Sequence, residues 1–340
     1  MSDRLGKVNP DFLASHVFPR LGAERDDVAI GPADGVDFGV ITVGDTALAL
    51  ATDPLSMVPA LGFERAGRFA FEFVLADVAV SGLAPAHLAV CLTLPPETTD
   101  AEFAAFWDAL DREASDLGVR VVTGHTARYE GCSYPWVGAA TAVAAGDPAD
   151  LVRPDGARPG DDLLVTRGPA VEATGLLATL FPDAVDLPAD VLETAAERLD
   201  ETRCVRDALT AAAAGPVHAM HDATEGGLAG ALNEMAASAG VRFDVEGDAV
   251  PVRPGVIAFC DAVGMDPWAA TTGGTLVLAV DPAGTDAVLA ALRDRGTPVA
   301  RVGRVRTGEG VYLDGEALSR PERDPSWEVF ERLAAESERG

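Results

Sequence analysis

The sequence predicts two α+β domains rather than one doubly wound sheet, and three observations carry this. Its 340 residues are enough for two cores. Strand-like and helix-like patterns alternate irregularly, without the repeated β–α–β order that a parallel sheet needs. Residues 146–161, GDPADLVRPDGARPGD, are dense in Pro, Gly and Asp and read as a connection. The expected boundaries are an N-terminal domain at 1–148, a linker at 149–159, a C-terminal domain at 160–325 and a tail at 326–340.

In chain order, residues 38–52 give two short apolar strands around the turn Gly44-Asp45. Residues 64–83 fit a buried helix ending near Gly82, with Pro85 as its stop. Residues 86–94 read as a strand. Residues 100–117 read as an amphipathic helix capped by Thr99 or Asp100. Strands follow at 119–123 and 136–145. Beyond the linker, 163–168 is a strand and 169–180 begins a helix. Residues 188–214 make one or two helices, 217–220 a strand, and 224–239 a helix that starts from a glycine pair. Strands at 241–245, 275–280 and 299–305 complete the domain, with a helix at 283–295. Residues 325–340 are charged and read as a short helix with a frayed end.

Composition narrows the function classes. Hydrophobic residues make up 48%, so the chain is globular. Asp and Glu number 54 against 26 Lys and Arg, a net charge of −28, and Lys7 is the only lysine. A surface of that sign repels phosphate backbones and anionic headgroups, so neither nucleic acid nor a membrane is the expected partner. The same composition fits a halophilic protein, because high salt screens self-repulsion. Cys91, Cys132, Cys204 and Cys260 form no C-x-x-C and suggest no zinc site. They read as free thiols of a cytoplasmic protein. The N-terminus lacks a signal-peptide core, and no apolar run approaches bilayer-spanning length.

Several familiar sites are missing from the sequence: the G-x-x-x-x-G-K-[ST] phosphate loop, the G-x-S-x-G elbow and H-E-x-x-H. What stands out is a set of acidic residues at the ends of elements. Asp37 precedes a strand, Asp53 follows one before Pro54, and Asp77 interrupts an apolar helix. Asp222 and Glu225 lie in MHDATEGGLA, where a strand becomes a helix. A carboxylate among Phe71, Phe73, Val74, Leu75 and Val78 is costly to bury unless paired, hydrogen-bonded or metal-bound. Asp77 is thus either a satisfied structural carboxylate or a ligand, and Asp53 alone reads as a turn residue. Together they suit Mg2+, which prefers carboxylate oxygens and bridges to phosphates. Gly226-Gly227 would let backbone N–H groups approach an anion at a helix N-terminus.

These residues carry a resemblance. GPADGVDFGVI (31–41), TDPLS (52–56), LADVAVSGLAP (75–85), VTGHT (122–126), VTRGPAVEATGLLA (165–178), MHDATEGGLAGALNE (220–234), DPW (266–268) and TGGTL (272–276), preceded by Gly6-Lys7-Val8, occur in the order found in one superfamily. The chain resembles the aminoimidazole-ribonucleotide-synthetase-like (AIR synthase-related) enzymes, most of all archaeal HypE-like hydrogenase-maturation proteins. The resemblance implies an N-terminal domain that forms a β-barrel with a second copy, hence a homodimer, and a C-terminal α/β domain. It implies ATP and Mg2+ as cofactors, with Asp37, Asp53 and Asp77 as metal ligands. Lys7, Asp37, Asp53, Thr126, Gly226 and Gly227 would contact the nucleotide, and Asp222, Glu225 and His125 would act on the acceptor. Four departures are visible. Ala76 stands where relatives carry Asn, Val36 where they carry an acid, and His125 where they carry Asp. The chain ends AESERG, without the terminal cysteine on which HypE acts.

The expected function is therefore Mg–ATP-dependent phosphoryl transfer to an amide, carbonyl or phosphate oxygen, the acceptor being a small molecule or a protein carboxamide. Two alternatives are an ATP-binding maturation partner with little turnover, and a kinase resembling thiamine-phosphate kinase.

Overall fold

A computed structural model describes residues 6–8, 10–337 and 339. The chain divides into two compact units, one made of residues 26–31 and 37–151, the other of the remaining residues. The division differs from the one expected of the sequence. The described residues up to Arg25, a stretch that includes a short helical run opening with α1 (Pro10–Phe12) and continuing to Arg20, group with the C-terminal unit, as does the 32–36 segment.

The N-terminal unit holds β1 (Val28–Ile30), β2 (Gly39–Val43), β3 (Thr46–Ser56), α2 (Phe63–Ala79), β4 (Pro85–Leu94), α3 (Asp100–Leu117), β5 (Arg120–Arg128) and β6 (Trp136–Gly146). Its sheet runs β1-β2-β3-β6-β4-β5 and is antiparallel except for the β4–β5 pair. Gly44 at φ +60° makes the β2–β3 turn possible. Alternation puts Ala47, Ala49, Ala51 and Leu55 of β3 on one buried face with Ala140, Ala142 and Ala144 of β6. These small residues let α2 lie close across β3 and β6, burying Phe71, Val74, Leu75 and Val78. Next, α3 packs on α2 where Gly67 faces the carbonyl of Phe106; a Cβ there would lie 2.4 Å from that oxygen. Thr99 and Glu102 close a capping box at the start of α3, and Gly118 ends the helix in the left-handed region. Both long helices of the unit thus form one layer, and the other face of its sheet carries no helix of this unit. The sheet is open, with β1 and β5 as its edges.

In the C-terminal unit, β7 (Asp162–Thr166), α4 (Val171–Leu180), α5 (Ala189–Ala196), α6 (Val205–Ala214), β8 (Val217–Ala223), α7 (Gly227–Ala239) and β9 (Arg242–Val245) are followed by α8 (Val256–Val263), β10 (Thr275–Val280), α9 (Thr285–Asp294), β11 (Val299–Arg306), β12 (Gly310–Leu313), β13 (Glu316–Ala317) and α10 (Pro325–Ser337). The sheet order is β13-β12-β9-β11-β7-β10-β8. Leu163, Val165, Ala219, Val277 and Ala279 pack with Leu228, Leu232 and Met235 of α7. Leu164, Leu276 and Leu278 alternate to the opposite face and are also fully buried, on the side of α6 and α9. Another core joins α4, α8 and α10 through Leu177, Phe259, Val329 and Leu333. The last of these helices corrects the reading of 326–340 as a tail, because its Val329 and Leu333 are core residues. Among the described residues no helix is long and apolar enough to cross a membrane.

Candidate active-site residues

In the N-terminal unit, Asp53 lies inside β3 rather than in a turn after it. It is half-buried and shares the face of Ala51 and Leu55, so its side chain is on the α2 side of the sheet. Pro54 is tolerated within the strand because the pairing of β2 with β3 reaches only to Leu50, leaving β3 open on that side. Asp77 is half-buried in the last turns of α2, the helix that packs on β3. Asp37 is half-buried, just before the buried Phe38, which anchors the start of β2.

His125 lies apart from Asp53 in the same sheet. Asp53 pairs across the sheet with Ala140, Ala140 with Val90, and Val90 with Gly124. His125 therefore sits three strands over, roughly 14 Å away at the usual strand spacing. It is also out of step by one residue, which turns its side chain to the opposite face. The ring is exposed and stacks on Tyr129, with Nε2 3.1 Å from the Tyr129 hydroxyl. Thr126 points to the Asp53 face, on the exposed edge strand β5.

In the C-terminal unit several polar residues lie around the start of α7. Asp222 is 3% exposed at the end of β8. Glu225 Oε1 accepts hydrogen bonds from the Lys7 amide at 2.8 Å and from Trp327 Nε1 at 3.1 Å, while Lys7 Nζ donates to Thr224 Oγ1 at 3.2 Å. Gly226 and Gly227 both adopt positive φ, at +88° and +64°. A Cβ on Gly227 would stand 2.6 Å from the carbonyls of Trp268 and Ala270, so glycine there admits the 268–270 backbone. The Gly226 amide donates to Asp324 Oδ2 at 2.9 Å and the Gly227 amide to the Thr224 carbonyl at 3.0 Å. Asp324 thus supplies from within the chain the anion that a helix N-terminus attracts.

Several residues of this region have no place in the sequence reading. Glu172, in the first turn of α4, accepts from Thr271 Oγ1 at 2.8 Å and from the Gly273 amide at 3.0 Å. Burial pushes its carboxyl up to about 7 against those donors, with the like charges of Asp324 and Glu225 adding to the rise. Burial also raises Asp324. His221 directs Nδ1 at the Asp222 carbonyl, 2.7 Å away, and Nε2 at Glu234 Oε2, 3.1 Å away. The ring thus faces a carbonyl through one nitrogen and a carboxylate through the other. Arg320 also binds Glu234. Burial alone would raise the Glu234 carboxyl, but His221, Arg320 and Lys7 outweigh it and hold it at about 2. His221 adjoins Asp222 in the sequence and Glu234 closes the stretch 220–234, so both are within reach of the motif. Arg320 and Asp324 are not.

Comparison with known proteins assigns the family. The AIR synthase related protein N-terminal domain matches residues 35–144, and the corresponding C-terminal domain matches 158–316. The chain belongs to the AIR synthase related protein family. It is 28% identical over 284 residues to a protein of Rhizobium leguminosarum bv. viciae named carbamoyl dehydratase HypE, covering 82% of this chain and 79% of that one. It is 31% identical over 252 residues to a protein of the same name from Cupriavidus necator, covering 73% and 68%. The structure of Escherichia coli HypE, described as a hydrogenase maturation protein, superposes with a TM-score of 0.71 at 25% identity, covering 82% of this chain and 87% of that one. Asp37, Asp53, Asp77, Glu172, Asp222, Glu225 and Glu234 lie inside the matched AIR synthase related regions. Lys7, Arg320, Asp324 and Trp327 lie outside them.

Proposed function

We propose that this AIR synthase related protein is a Mg–ATP-dependent enzyme that activates the oxygen of a carboxamide by phosphoryl transfer. The observation that carries the reading is the placement of Asp53 and Asp77, half-buried carboxylates on a strand and a helix that pack together. Hard oxygen donors of this kind fit Mg2+. The relatives named carbamoyl dehydratase, and a HypE structure solved with ATP at a TM-score of 0.65 and 23% identity, support the same direction.

Asp37, Asp53 and Asp77 would hold the ion, and bound Mg–ATP would supply an electrophilic phosphorus with its charge partly neutralised. The chain's task is then to hold phosphates and acceptor still and to move protons. In the balanced reaction the amide oxygen attacks the γ-phosphorus, ADP leaves, and nitrogen gives up one proton. Breaking the C–O bond then releases phosphate, and loss of the second proton leaves a nitrile. Asp222 and Glu225 are assigned to the acceptor. His125 is left without a catalytic role, since its side chain lies on the opposite face from Asp53. The acceptor thiol of a self-modifying enzyme is not Cys260, which is buried and pushed up to about 12 by burial.

The test is nucleotide turnover by the full chain in molar KCl, with and without Mg2+, offered an S-carbamoylated peptide or thiamine phosphate. Mg-dependent ADP release stimulated by the carbamoylated peptide is expected. Stimulation by thiamine phosphate alone would replace this reading with a kinase, and tight ATP binding without turnover on either would replace it with a binding partner.

The sheet face without a helix, carrying Leu48, Leu50, Thr141 and Val143, is the surface on which we place a second copy. Sedimentation of the full chain at micromolar concentration should give the mass of a dimer, and a monomer would remove this assignment.

A further inference from the structure

An irregularity in the C-terminal sheet gathers arginines on one face. Arg301 of β11 pairs with Leu164 of β7, Gly303 with Leu163 and Arg304 with Asp162, so Val302 is an extra residue in β11. In a regular strand, residues three apart point to opposite faces. The bulge cancels one step and puts Arg301 and Arg304 on the same face. Packing holds it in place. Val302 is fully buried, its carbonyl accepts from the Glu246 amide at 2.7 Å, and a Cβ on Gly303 would lie 2.0 Å from the Asp244 carbonyl. Cross-strand pairing adds Arg306, Arg242 and Asp244 to that face, with Tyr312 of β12 beside Asp244. The four arginines line a cavity of about 410 Å3, which Glu246 and Asp314 also border. In a chain of net charge −28, such a gathering runs against the overall composition.

The carboxylates nearby leave guanidinium donors open. Asp244 accepts from Arg242 Nε at 2.6 Å and lies 3.5 Å from Arg306 Nε. Asp314 accepts from the Gly247 amide at 2.9 Å. Arg301 and Arg304 both turn toward one atom, Oδ1 of Asp162, at 3.8 and 3.5 Å. Asp162 is 3% exposed, its Oδ2 accepts from Thr285 Oγ1 at 2.8 Å, and its Oδ1 has no hydrogen bond among the described residues. One buried oxygen thus draws together two guanidinium groups that are 54% and 45% exposed, while most of their N–H donors stay available.

We propose that this face of β9 and β11 binds a compact multivalent phosphate, held between Arg301 and Arg304 with Arg306 beside them. Planar guanidinium forks match phosphate oxygens two at a time. The cavity has the size that takes a small ligand. Glu246 and Asp314 repel an acidic peptide laid along the strands, so a small anion is the fitting occupant. The site lies wholly in the C-terminal unit and does not rest on the metal reading of Asp37, Asp53 and Asp77.

The test uses the full chain in molar KCl with EDTA, and inorganic pyrophosphate as the probe. Binding is followed by calorimetry and by the rise in thermal midpoint that a ligand of the native state causes. Without a divalent ion, the aspartates of the N-terminal unit repel the probe. One pyrophosphate per chain is expected. Arg301→Ala should raise the dissociation constant about tenfold or more, as the loss of hydrogen bonds to a charged group does. Arg301→Lys should restore only part of the affinity, since it keeps the charge without the fork. The ligand-induced rise in midpoint should shrink in step, which tests the site even where a variant starts from a lower midpoint. Asp53→Asn should bind the probe as the wild type does. Displacement of bound pyrophosphate by ATP would identify a nucleotide tail as the source of the phosphate, and its absence the free anion. No binding by the wild type, undiminished binding by Arg301→Ala and Arg304→Ala, or loss of binding in Asp53→Asn would each overturn the proposal.

Discussion

Asp53→Asn is expected to abolish Mg-dependent ATP turnover, lowering it by about a hundredfold or more, the range seen when one group stabilising charge in a transition state is removed. The substitution keeps size and shape while exchanging an anionic oxygen ligand for a neutral amide. Mg2+ tolerates that exchange poorly, because its affinity for a protein rests on a small number of carboxylates. The loss is expected in kcat as well as in the Mg2+ requirement, since the ion offsets charge that develops as the phosphoryl group moves. Asp53 is half-buried on the α2 face of β3, where Asn is isosteric, so the fold should survive with a thermal midpoint near the wild type. Initial rates of ADP release across a Mg2+ titration in molar KCl read the effect. Turnover within twofold of the wild type would show that Asp53 holds no essential ion. Asp77→Asn, on the packed helix, should behave alike, because both carboxylates are assigned to the same task.

How much of the fold and site is legible in the sequence depends on how local each feature is. The β2–β3 hairpin, the capped α3 and the buried α2 are all readable, since each is specified by alternation, a capping box or a stop signal within a few residues. The extent of β3 is not. Pro54 argues for a turn, and only the short reach of β2 makes proline acceptable inside the strand. Helix α8 escapes the sequence because VIAFCDAV is a short apolar run in which periods of 2 and 3.6 cannot be told apart. In α10 the charged residues hide an apolar stripe at Val329 and Leu333. At the site, the motifs disclose the acidic residues but not their surroundings. The Lys7–Glu225 contact spans 218 residues and the Arg320–Asp34 contact 286, and nothing local announces either. His125 departs from expectation for a different reason: order along the chain does not reveal which face of a strand a residue takes, and one step of register reverses it.

Arg320 carries one of those long-range contacts on to Glu234, and Glu234→Gln should destabilise the C-terminal unit severely. The carboxylate is 12% exposed and faces His221 and Arg320. Burial works against its charge, yet His221 first, then Arg320 and Lys7, hold it at about 2, below the ordinary 4.5. A lowered carboxyl favours the native state wherever it is ionised. Its contribution is thus complete above the unfolded-state value near 4.5 and is lost as the pH falls through about 2. A difference of that size corresponds to about 3 kcal/mol. Glutamine keeps the volume but leaves His221 and Arg320 facing a neutral amide, and removing one member of a buried pair costs about 3–5 kcal/mol. Urea denaturation at neutral pH should therefore show a loss of about 3 kcal/mol. Between pH 4.5 and 2 the wild type should lose stability more steeply than the variant, so that the two curves converge at the acid end. A variant that matches the wild type at neutral pH, or parallel acid limbs separated by a constant gap, would mean that Glu234 is held by packing and not by its charge.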